Sequence, residues 1–387
     1  MRSNSLRAVV VALFVAGVGC GGGDDDGAPT VIETESTRQI MRDFAADLRV
    51  VLPATVDEET FSDSAANPAI REALADLADN ASVLVAHSQR NESGTRQLGR
   101  SLERDTAEIL YQYDRGRTDR AAFLLQQVTE NCVVCHSRRP DATDPEIAAG
   151  FVDGAVLQQL DPERRETLQI ATRQFDAALV TLEALLADPE THPAVMLGPL
   201  TDYLTVSLRV KDDYVRPVAV LAKFSRRDDL WQRLRSDVEG WIDALPSLYA
   251  QTRGEPELAV AQRILAEGAA LREDSSDLRA DLVHSIAASA VLQRYVRLHR
   301  DRGADLAEAY YLLGEIEARI GRNYWVSQAQ HFLATSIRIA PGASTAQQAY
   351  GLLEEQILLS YEGSDEDAPG DEDAALLAEL KALIDAS

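Results

Sequence analysis

Apolar residues recur along this chain at helical spacing, and almost nowhere alternate as a strand would require. The first clear stripe is Ile40, Met41, Phe44, Leu48 and Val51. Ser36 or Thr37 can cap its helix, which is expected to reach Leu52 and stop at Pro53. Asn67-Pro68 opens a second helix with a cap and a first-turn proline, and its stripe is Ile70, Ala73, Leu74, Leu77, Ala81 and Leu84. A third runs from about Thr95 to Tyr113 through Leu98, Leu102, Ile109 and Leu110. Thr118-Asp119 starts a fourth, with Leu124, Leu125, Val128, Cys132 and Cys135 on one face and Pro140 at its end. Four amphipathic helices joined by short loops predict an antiparallel bundle over residues 33–142.

The pattern then repeats without strands. A loop with Pro140, Asp141, Asp144, Pro145, Gly150 and Gly154 leads into a helical region over 155–361. Arg164 to Leu186 reads as one periodic run that stops near Asp188-Pro189. Further helices are expected at 196–210, 213–224, 228–248, 255–272 and 276–301, then a pair from Leu306 to Ile320 and from Val326 to Ile339. Trp231, Trp241 and Trp325 are the expected core anchors. Residues 362–373 (EGSDEDAPGDED) are expected to be disordered, and a short terminal helix follows within 374–387. Few aromatics and an abundance of alanine, leucine and arginine agree with an all-α fold. The formal charge of −25 argues against nucleic acid or anionic lipid as partners.

The start of the chain changes the picture. Arg2 and Arg7 precede an apolar stretch from Ala8 to Val18, too short for a stable membrane span. Residues 1–20 read as a targeting signal that ends in Gly17-Val18-Gly19-Cys20. That ending resembles the lipobox of bacterial lipoproteins, although Gly17 stands where leucine is usual. The resemblance implies lipid on Cys20 and, because Gly21 follows, the periplasmic face of the outer membrane. A soluble periplasmic protein is the alternative. Residues 21–32 form a flexible Gly/Asp tether.

Cys132-Val133-Val134-Cys135-His136 carries the chemistry. CxxCH is the attachment signature of haem c: two thiols bond the porphyrin and the histidine ligates iron. Spacings of three and four put all three on one side of a helix. A thioredoxin-like pair would sit at a helix start after a strand, and none precedes it here. A structural zinc site needs two more ligands, yet the remaining cysteine is Cys20. One covalent haem is therefore expected.

A bundle with CxxCH late in its fourth helix resembles the class II c-type cytochromes, the cytochrome c-prime group, over about 110 residues. The resemblance implies a distal ligand early in the first helix, and Met41 occupies that place. Methionine opposite histidine suits electron transfer. Alternatively, Met41 fills core beside an open iron face. His87 is a second distal candidate, or caps its helix. Arg138 and Arg139 can pair with haem propionates or complement the end of the fourth helix.

Gly314, Ala329, Leu333, Ser336 and Pro341 resemble the small, large and proline positions of a tetratricopeptide repeat. The resemblance implies an α-hairpin array over 155–361, and such arrays dock proteins. A second, haem-free bundle over 155–250 is the alternative. His192, His284, His299 and His331 are scattered and are not expected to bind metal. The expected function is non-enzymatic: electron transfer to a redox protein partner, with the array as docking module and the membrane reached only through a lipid anchor. The alternatives are a five-coordinate haem protein that binds nitric oxide or carbon monoxide, and a scaffold of a redox assembly.

Overall fold

The computed structural model describes residues 31–54, 61–62, 68–88, 93–125, 128, 160–274, 279–299, 303–320, 328–361 and 369–387. Among them are fifteen α-helices and no strand. The first four are α1 (Val31–Ala54), α2 (Pro68–Ser88), α3 (Ser93–Asp114) and α4 (118–125). α1 continues past the expected stop, with Pro53 inside its last turn. A proline so near the end removes one hydrogen bond and leaves the earlier ladder intact.

The four helices close over one core that includes Ile40, Phe44, Leu48, Val51, Leu74, Leu77, Ile109, Leu125 and Val128. Phe61 meets Tyr113 edge-on at 5.2 Å in the same core. Between α3 and α4 the chain reverses through Gly116, at φ 71°, a left-handed conformation that glycine adopts without strain.

The run from Arg164 to Leu186 is two helices, α5 (Pro162–Ala171) and α6 (Phe175–Ala187), not one. The Asp161 carboxylate accepts the Arg164 N–H at 2.9 Å and caps α5. The break falls at Arg173, which turns left-handed at φ 61°. Periodicity missed it because Ile170, Phe175 and Leu179, on both sides of the break, face the same core. Likewise 196–210 is α7 (Leu197–Leu204) followed by a π-helical turn, Thr205–Val210.

Next come α8 (Arg216–Phe224), α9 (Gln232–Thr252), α10 (Leu258–Asp274) and α11 (Leu282–Leu298). α12 (Ala304–Ile320), α13 (Gln328–Ile339), α14 (Ser344–Tyr361) and α15 (Asp371–Asp385) complete the chain. α11 is the axis of this region. Every residue from Leu282 to Gln293 is buried, and the helix packs on α9, α10, α12 and the π turn. Trp241 is fully buried, and its indole N–H donates to the Arg279 carbonyl at 3.0 Å. Trp231, expected as an anchor, is 39% exposed, and Trp325 lies outside the described residues.

α12 and α13 pack so closely that a Cβ on Gly314 would stand 2.6 Å from Leu333 Cγ and 3.3 Å from the Ala329 carbonyl oxygen. The Ser336 hydroxyl donates to the Ala307 carbonyl at 2.6 Å across the same pair. α15 begins at Asp371, inside the run read as disordered, and its acidic first turn suits a helix N-terminus. No helix among the described residues is long and apolar enough to cross a membrane.

Candidate haem-attachment site

Cys132, Cys135, His136, Arg138, Arg139 and Cys20 lie outside the described residues, as does the side chain of His87. Met41 is described. It is half-buried on α1 and packs against the bundle core, while its neighbours Ile40 and Phe44 are buried.

Two contacts fix the register of the first three helices. Asn80 donates to Asp47 at 3.1 Å, so the level six residues back on α1, at Met41, matches the level six residues on along α2, at Ala86. Arg71 pairs with Asp114 through two bonds of 2.8 and 2.9 Å. The level of Ala86, fifteen residues beyond Arg71, therefore matches Gly99, fifteen residues before Asp114. Met41, Leu84 and Gly99 thus share one level to within about a helical turn. Leu84 is half-buried there, and Gly99 is a buried position with no side chain. Ala121, Leu124 and Leu125 of α4 lie in the same core as the first three helices.

The electrostatics of the α1–α2 seam are acidic. Burial raises the Asp47 carboxyl to about 6, assisted by Asp76 and Asp43 and opposed by the hydrogen bond from Asn80. Gln39 donates to Asp43 at 2.8 Å. These carboxylates went unremarked in the sequence, because charge at helical spacing on α1 and α2 carries no signal of which acids face each other.

No group of three or more potential metal ligands occurs among the described residues. The four scattered histidines sit in different surroundings. His192 Nδ1 accepts the Ala194 N–H at 3.1 Å, and the His299 ring stacks on Tyr295 with centroids 4.0 Å apart. His331 is buried in α13. His284 is buried against α10, where a Cβ on Gly268 would stand 3.0 Å from its own Cβ, and its Nδ1 has no hydrogen-bond partner. Burial holds that imidazole below its usual range, against the opposing fields of Glu267 and Asp281.

A polar feature of the interior that the sequence did not suggest is the ion pair of Arg209 and Glu317. Arg209 Nη2 lies 2.8 Å from Glu317 Oε1, and its Nε donates to Ser289 Oγ at 3.0 Å. Both charged side chains are almost wholly buried, at 3% and 6% exposure. A single arginine in an apolar run read as a helix gave no hint of a partner 108 residues away.

Comparison with known proteins found no matching family model, no matching curated protein and no matching solved structure.

Proposed function

We propose that the chain is a monohaem c-type cytochrome that transfers electrons to a redox protein partner. The observation that carries this is Cys132-Val133-Val134-Cys135-His136, whose first cysteine follows Val128, a buried member of the bundle core, by four residues. Cys132 and Cys135 would hold the porphyrin through thioethers, and His136 would ligate the iron. Met41 is the proposed second ligand, partly buried on the inward stripe of α1. Arg138 and Arg139 are proposed partners of the propionates. A haem so held supplies one-electron chemistry, and methionine ligation raises its potential.

The bundle is accordingly proposed as cytochrome c-prime-like, and the close packing of Gly314 on Leu333 supports reading α12 and α13 as a tetratricopeptide-like hairpin. Lipid on Cys20 would hold the protein at the periplasmic face of the outer membrane, its only link to the bilayer.

The test is the optical and mass spectrum of the mature protein, made in a host that attaches haem c. Mass is expected to rise by one haem, and both Cys132→Ser and Cys135→Ser should weaken that attachment. A near-infrared sulfur-to-iron band, lost in Met41→Ala, supports electron transfer. A high-spin spectrum that shifts on adding nitric oxide would replace it with gas binding. Colourless, iron-free protein would refute both.

A further inference from the structure

The two helical regions are not joined as a bundle and a free arm. Leu160 and Leu168, which belong to the start of the second region, are 7% and 5% exposed and lie in the core of the first. At the other end of the chain, α13 packs directly on α3. The hydroxyl of Tyr361, the last residue of α14, donates to Asp373 of α15 at 2.9 Å. Between these two ends the contacts are continuous. α5 packs on α6, α6 on α7 and the π turn, the π turn on α11, α11 on α12, and α12 on α13. The circuit begins at α5 beside the bundle and returns to the bundle at α13.

We propose that α5–α15 form an intramolecular cradle whose occupant is the chain's own N-terminal bundle, gripped at both ends of the array. A docking arm works by raising the effective concentration of its cargo through a linker that lets the two parts move. Contacts at two points remove that freedom. The faces of α5 and α13 that meet the bundle are also unavailable to any other protein. A partner therefore meets bundle and array as one surface with a fixed geometry. The inference rests on packing alone and stands whether or not the bundle holds haem.

The test is native-state hydrogen exchange of the whole mature protein, read by mass spectrometry across a urea series. Peptides from residues 70–85 and 102–113 report the bundle, and those from 282–298 report the array. Both sets are expected to lose their slowest protection at one urea midpoint. Leu168→Ala should speed that exchange roughly 30-fold or more in both sets, from the usual effect of truncating a buried leucine. Leu292→Ala, wholly inside the array, should do the same to the bundle peptides. If Leu168→Ala does not fold, Leu168→Val is expected to give a smaller shift that is again equal in both sets. Two separate midpoints in the unaltered protein, or a variant whose effect stays in one set of peptides, would overturn the cradle.

Discussion

Glu317→Ala is the most informative single perturbation of the interior. It removes the carboxylate 2.8 Å from Arg209 Nη2 and leaves the guanidinium 3% exposed, with only the Ser289 hydroxyl as a neutral partner. At an effective dielectric near 20, the lost attraction is about 6 kcal/mol, of which the cost of dehydrating Glu317 is recovered on its removal. The net loss for breaking a buried pair on one side is about 3–5 kcal/mol. Domains have total stabilities of about 5–15 kcal/mol, so this one change should bring the protein close to unfolding at body temperature. Arg209→Met combined with Glu317→Leu removes both charges and fills their space with apolar atoms. That double variant should lie within a few kcal/mol of the unaltered protein, and above either single variant. The assay is urea unfolding followed by circular dichroism and by the fluorescence of buried Trp241. A loss under 1 kcal/mol for Glu317→Ala, or a double variant less stable than both singles, would show that the pair does not hold the π turn to α11 and α12.

Gly314→Ala should cost about 1–3 kcal/mol, because the new methyl would stand 2.6 Å from Leu333 Cγ. Thermal melts should show partial rescue when Leu333 is also shortened to alanine. His284 is neutral in the fold and takes up a proton more readily unfolded, so stability should be full above pH 6.5 and fall below it. His284→Gln should flatten that slope in urea titrations at several pH values, and an unchanged slope would exonerate the residue. Asp47 has the opposite sign. Its carboxyl is raised to about 6, so the stability it contributes is present below pH 4 and lost as pH rises through 6. Asp47→Asn should stabilise the protein at pH 7 by about 1 kcal/mol, a figure reduced for the water that still reaches the side chain.

The parts legible in the sequence are those set by neighbours along the chain. α2 opens at Pro68 and α4 at Thr118, and most of the stripe residues of α1 to α3 lie in the bundle core or pack against it. Helices need only a local rule, one apolar face at a spacing of three or four, and that rule survives without knowledge of the partner. The proposed haem motif could be picked out for the same reason, since its spacing is local chemistry. Met41 could be nominated by its stripe, but its level with Leu84 and Gly99 came from cross-helix contacts. The join at Arg173 was hidden because the same core faces both sides of it.

By itself, then, the sequence determined that this protein is helical and where α2 and α4 begin, and it supplied the Cys132-to-His136 spacing on which the haem proposal rests. Tertiary structure alone decided that Arg209 finds Glu317, that Asn80 reaches Asp47, and that α13 returns to α3. These pairings join residues tens to hundreds of positions apart. A one-dimensional pattern records that a side chain is apolar or charged, but which distant surface covers it is settled only when every helix competes for the same buried space.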